Sequence, residues 1–114
     1  MKFMTGWMTC RAGTRGEFLT AIADAVKETQ REEGCVFFEF HAHGTDPDIA
    51  VLIEGFRDDA AYQFHRHTPQ MAVMQTEMRR LVIAVRMCMS EASDDDVHWM
   101  DMDWIANPPG PWKP

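Results

Sequence analysis

The sequence predicts an α+β domain built on a single antiparallel sheet, and three observations carry that prediction. The hydrophobic period switches along the chain in the order strand, helix, strand, strand, helix, strand. The two central strand-like runs are separated by Gly44-Thr45-Asp46-Pro47-Asp48, a connector dense in turn formers, so they pair as a hairpin. Apolar side chains also fall on both faces of the strands, which calls for a cover on each side of the sheet.

Residues 2–11 alternate as a first strand, with Phe3, Thr5, Trp7 and Thr9 on one face and Met4, Gly6, Met8 and Cys10 on the other. Thr14-Arg15-Gly16-Glu17 has the form of a capping box, with Thr14 as N-cap and Glu17 three positions on. Phe18, Leu19, Ile22, Ala25 and Val26 form a helical stripe, predicting a helix over 15–33 with Gly34 as its left-handed C-terminal cap. Its charged side, Asp24, Lys27, Glu28, Arg31, Glu32 and Glu33, reads as a solvated face. Residues 35–43 and 49–56 are the hairpin strands, rich in β-branched and aromatic residues.

Arg57-Asp58-Asp59 opens a short helix whose inner face takes Ala61, Phe64 and His65. Thr68-Pro69 interrupts it and restarts a helix as N-cap and first residue, with Met71, Met74 and Met78 as its apolar stripe. Residues 81–89 supply the last strand. The order is βαββαβ, the split-βαβ pattern of a ferredoxin-like sheet. Helices cover one face of such a sheet, so a homodimer with sheets face to face, a dimeric α/β barrel, is the expected cover for the other.

With 114 residues the chain is sized for one domain, and the acidity is local. Up to Met89 twelve acids face ten bases, whereas from Ser90 onward six acids stand against one lysine. A net charge of −7 argues against nucleic acid or an anionic membrane as partner. No apolar run approaches the roughly 18 residues that cross a bilayer, and the N-terminus lacks a signal-like apolar stretch, so a cytoplasmic protein is expected. Cys10, Cys35 and Cys88 lie far apart without a CxxC pair and read as buried free thiols. Residues 91–114 form an acidic, Trp/Pro-rich extension to the 1–90 domain. Residues 100–104 alternate like a strand, and Trp99, Trp104, Ile105 and Trp112 are a heavy apolar load, so 97–105 is expected to dock as an added strand or arm on the body or the partner subunit.

Three stretches resemble the antibiotic biosynthesis monooxygenase family, including its quinol monooxygenase branch. They are Arg31-Glu32-Glu33-Gly34-Cys35, then Val51-Leu52-Ile53-Glu54-Gly55-Phe56, similar to the family's strand ending in Glu-x-Trp, and the run from Asp59 through His65 to Thr68-Pro69-Gln70-Met71, similar to Ala-x-x-x-His before a Thr-Pro turn. The resemblance covers residues 1–90. It implies a small-molecule monooxygenase that needs no flavin, haem or metal, because the ionised substrate itself passes electrons to oxygen. Such a site requires a base, an apolar aromatic pocket and donors that stabilise the anion.

His65 is the candidate base: it sits on the inner helix face, matches the family's histidine, and an ordinary imidazole titrates in the neutral range. The alternative is a histidine that ties helix to sheet by a hydrogen bond. Glu54 and Arg86 are candidate supporting residues, since a buried carboxylate should have a partner such as Arg57 or Arg86. Trp7, Phe38, Phe40, Phe56, Phe64, Met71 and Met74 could line a pocket for a flat aromatic substrate, or be simply core. Phe56 stands where the family commonly has Trp. His67 should point outward, and His41, His43 and Glu39 on one strand face are too few to predict a metal site. No phosphate-binding or dinucleotide-binding glycine motif is present. The only asparagine is Asn107, so the asparagine that aids substrate activation in some phenol monooxygenases and haem-degrading relatives has no counterpart in the body. Two other functions fit the same fold: an isomerase or lyase of an enolisable carbonyl compound, and a non-catalytic dimeric ligand-binding protein.

Overall fold

The computed structural model describes residues 1–103, 105, 106 and 110. Strand β1 (Lys2–Cys10) leads into helix α1 (Arg15–Gln30), followed by the hairpin β2 (Cys35–Ala42) and β3 (Ile49–Phe56). Two helices in succession, α2 (Asp59–Arg66) and α3 (Pro69–Leu81), precede strand β4 (Val82–Glu91). The sheet is antiparallel throughout, with strand order β2-β3-β1-β4. This is the ferredoxin-like arrangement that the βαββαβ pattern predicts.

The pleat sorts the strands into two faces. Met4, Met8 and Cys10 of β1, Phe38 of β2, and Ala50, Leu52, Glu54 and Phe56 of β3 are buried. They meet Phe18, Ile22, Ala25 and Thr29 of α1, Ala61 and His65 of α2, and Met74 and Leu81 of α3. The opposite parity, with Phe3, Thr5 and Trp7 of β1 beside Gly55, Ile53 and Val51 of β3, forms the sheet's other face. Among the described residues no helix is long and apolar enough to cross a membrane.

Local signals succeed or fail for physical reasons. Asp58 caps α2 by accepting from the Ala61 N–H at 2.8 Å, and Thr68 caps α3 by accepting from Met71 N–H at 3.2 Å with Pro69 following. The expected capping box on α1 is not made. The Thr14 hydroxyl donates to the Arg11 carbonyl at 2.7 Å, and Glu17 turns instead to Arg80 at 2.6 Å.

α1 also ends at Gln30, earlier than expected, because the Arg31 and Glu32 N–H groups bond three residues back to Glu28 and Thr29 and tighten the last turn. Gly34 is not a left-handed cap, since Gly13 is the glycine with positive φ among the described residues. Gly34 is needed for space: a Cβ there would overlap the Cβ of Ala61. Its bareness lets α2 settle against the α1–β2 connection.

Beyond β4 the chain makes a short 3-10 turn at Asp94–Asp96. No strand forms over 97–103, in contrast to the alternation there. Trp99 packs edge-on against Phe37 with ring centroids 6.0 Å apart, whereas Ile105 is exposed. Trp104, Asn107 and Trp112 lie outside the described residues.

Candidate active site

A cavity of about 160 Å³ lies between the sheet and helices α2 and α3. β2 contributes Phe38 and Phe40, β3 contributes Leu52 and Glu54, and α2 contributes Tyr62, His65 and Arg66. The rest of the wall is sulfur-rich: Met71, Met74 and Met78 at helical spacing on α3, Met8 from β1 and Met87 from β4. Gly6 makes room for Met87, whose sulfur occupies the space that a Cβ at Gly6 would take. Methionine side chains are flexible and polarisable and make favourable contacts with aromatic rings. The volume is close to that of an apolar cavity able to hold a benzene-sized ring.

His65 is 1% exposed and is held from three directions. Its carbonyl accepts from the Thr68 hydroxyl at 2.8 Å, which fixes the end of α2. Its ring packs against Phe56 and Phe38, with centroids 4.8 and 5.3 Å away. Its Nδ1 lies 3.0 Å from Glu32 Oε2, an oxygen that also accepts from Gln70 Nε2 at 3.1 Å. With Nδ1 occupied, Nε2 is the nitrogen left for the cavity.

Glu54 enters the same cavity, and among the described residues no cation forms an ion pair with it. Burial pushes its carboxyl up to about 7, and the negative charge of Glu32 adds to the effect. The same two carboxylates, after burial itself, help to raise the Cys35 thiol to about 11. The wall is therefore a negative environment in which one acid, Glu54, is held near half-protonation at neutral pH. A neutral carboxylic acid can donate a hydrogen bond, which a carboxylate cannot.

The family model of antibiotic biosynthesis monooxygenases matches residues 3–77, a span that includes His65, Glu54, Glu32 and most of the cavity wall. The chain belongs to the antibiotic biosynthesis monooxygenase family. No curated protein matches it. Among solved structures it is similar to a protein from Pseudomonas aeruginosa (21% identity, TM-score 0.73, covering 81% of this chain and 93% of that one). It is also similar to candidate antibiotic biosynthesis monooxygenases from Deinococcus radiodurans (17%, TM-score 0.75, covering 89% and 100%) and Nitrosomonas europaea (15%, TM-score 0.75, covering 81% and 98%). At such identities the solved structures support the fold.

Within this family fold, the cavity gathers His65, Glu54, Phe38, Phe40, Met71 and Met74, while Phe56 stands behind His65 as a buried wall. Three other residues expected at the site lie elsewhere. Trp7 is on the opposite face of the sheet, because it shares parity with Phe3 and Thr5. Arg86 pairs across from Trp7 and so leaves the cavity too, beside Cys88, which is exposed where a buried thiol was expected. Phe64 is 65% exposed, since the inner face of the short α2 is taken by Ala61 and His65. It borders an outer depression with Arg31, Glu33 and Arg57. Arg57 does not reach Glu54: it pairs with Asp58 at 3.3 Å and Glu33 at 3.7 Å.

The residue that sequence reasoning missed is Glu32. Its position among charged residues suggests a solvated face, yet its side chain is 5% exposed against His65. The only signal was the Arg-Glu-Glu-Gly run within the family-like stretch. His67 faces out, bonded to the Gln63 carbonyl at 2.7 Å. His43 closes the hairpin turn by accepting from Thr45 and Asp46 N–H groups at 3.1 and 2.9 Å, and His41 pairs with Glu39 in the open. Among the described residues no three metal-ligating side chains come together.

Proposed function

We propose that the protein is a cofactor-independent monooxygenase of a small phenol- or quinol-like aromatic compound, with His65 as general base. Family membership supports a small-molecule monooxygenase-like or binding function. The observation that carries the finer reading is a buried imidazole, fixed through Nδ1, on the wall of a ring-sized cavity lined by aromatic and methionine side chains.

His65 Nε2 takes the phenolic proton, and the phenolate gives an electron to dioxygen. Recombination forms a carbon–oxygen bond, and loss of water from the resulting peroxide leaves a quinone. One oxygen atom enters the ring, the other leaves as water, and all the electrons come from the substrate. Glu54 in its neutral form donates a hydrogen bond to the ring oxygen as charge develops there.

The working unit in this reading is a homodimer joined through the sheet face that carries Phe3, Trp7 and Ile53. The Trp99 ring on Phe37 supports a C-terminal extension docked on the body.

Oxygen uptake with a panel of mono- and polyphenols tests the assignment. His65→Ala should lower kcat by about 10²–10⁴-fold, the usual share of general-base catalysis, with little change in KM. His67→Ala should stay near wild type. A folded His65→Ala protein with full turnover would refute the base.

A further inference from the structure

We propose that Glu32 is the positioning residue of the site, holding His65 with its proton on Nδ1 so that Nε2 faces the cavity bare and ready to accept a proton. The inference rests on the reading of His65 as base, and it assigns a part to a residue outside the cavity wall.

Glu32 stands in the connection between α1 and β2, 33 positions from His65 in sequence, and Gly34 brings that connection against Ala61 of α2. The Nδ1–Oε2 contact is 3.0 Å, and the two side chains are only 2% and 5% exposed. Gln70, at the start of α3, donates its Nε2–H to the same Oε2 at 3.1 Å. An oxygen already receiving an amide N–H acts as an acceptor, which places the shared proton on the imidazole nitrogen. Among the described residues Oε1 of Glu32 has no hydrogen-bond partner, so the contacts there that orient this carboxylate are those to His65 and Gln70.

The arrangement has a consequence for proton transfer. When Nε2 accepts a proton, the imidazolium forms in a buried site, and its positive charge appears at hydrogen-bond distance from a preorganised carboxylate. The other polar groups near the ring do not supply this. Glu54 is only partly ionised near neutrality and makes no hydrogen bond to the ring, Arg66 is a cation on the cavity wall, and Gln70 is neutral.

Nuclear magnetic resonance of the ¹⁵N-labelled full-length protein reads the tautomer directly, with His65→Ala identifying the two ring-nitrogen signals. In wild type at alkaline pH, Nδ1 should be protonated and Nε2 bare. Glu32→Leu should revert His65 to the Nε2–H tautomer that free histidine prefers, and its turnover should fall about as far as that of His65→Ala. Glu32→Gln keeps an acceptor but not the charge, so it should keep the tautomer and lose about 10–10²-fold in kcat at unchanged KM. A wild-type Nε2–H tautomer, or an Nδ1–H tautomer persisting in Glu32→Leu, overturns the proposal, as does full turnover in Glu32→Gln. Should the leucine variant not fold, the wild-type tautomer and the glutamine variant decide. Failure of the base reading is separately visible, because full activity in His65→Ala would leave the tautomer result standing.

Discussion

On the helix-covered face of the sheet, Met8, Phe38 and Leu52 are at most 4% exposed, and Glu54 sits among them. On the other face, Trp7 is 36% exposed beside Arg86 and Cys88, and Glu39 meets His41 at 3.2 Å in the open. Each face thus has a Glu–His pair in contact, one buried and one exposed. The exposed pair is worth at most about 1 kcal/mol. Breaking Glu32–His65 by removing one partner should cost about 1–3 kcal/mol, because the other loses a hydrogen bond in a buried place. Residue type does not separate the two pairs; burial does.

That contrast assigns the second face a different role, and the largest predicted effect breaks it. If the face of Trp7 and Ile53 is the dimer interface, Ile53→Asp places a charge from each subunit in an apolar contact. Light scattering at micromolar concentration should give twice the 13.1 kDa chain mass for wild type and a single chain for Ile53→Asp. A wild-type monomer would leave the open face without the cover assigned to it.

A smaller effect sharpens the covered side. Burial and the Glu32 charge raise the Glu54 carboxyl from 4.5 to about 7, so the folded protein binds a proton that the unfolded chain has released between those values. Stability from this group is therefore present below about pH 4.5 and lost as pH rises toward 7. The loss is of order 3 kcal/mol at most. Glu54→Gln mimics the protonated form and should flatten this part of the pH–stability curve, with its gain over wild type greatest above pH 7. Urea midpoints at a series of pH values measure this, and parallel curves for the two proteins would mean that Glu54 is not an uncompensated acid.

The fold was legible because it follows from periodicity and turn chemistry. The Gly44-to-Asp48 connector makes the hairpin turn, and Thr68-Pro69 begins α3 as a cap and first residue. The site was half legible. His65, Met71 and Met74 announce themselves by helical spacing, but strand parity does not say which face the helices cover, so Trp7 and Arg86 were expected at the cavity and lie across the sheet from it. Glu32 was hidden because its burial depends on Gly34 admitting α2, a contact between segments that no local pattern encodes. Phe64 differs because α2 is rotated so that Ala61 and His65 take its inner face and Phe64 is left at the outer depression.

Two threonines before helices carry this comparison to its smallest effect. Thr14 and Thr68 both read as N-caps, and only Thr68 caps. Its Oγ1 accepts from Met71 N–H and donates to the His65 carbonyl at 2.8 Å, so it serves the first turn of α3 and the last turn of α2 together. Thr68 is 8% exposed. Thr14 is half-buried and bonds back to Arg11, so its side chain caps none of the first N–H groups of α1. Thr68→Ala should therefore cost about 1–2 kcal/mol, the value of a lost cap, whereas Thr14→Ala should stay within about 0.5 kcal/mol. Urea unfolding with unchanged m-values separates the two. Because Thr68 also holds the backbone of His65, Thr68→Ala should lower kcat several-fold even in fully folded protein. Equal stability losses in the two variants would show that cap geometry does not distinguish these positions, and unchanged turnover in Thr68→Ala would show that the Thr68–His65 bond is not needed to aim the imidazole.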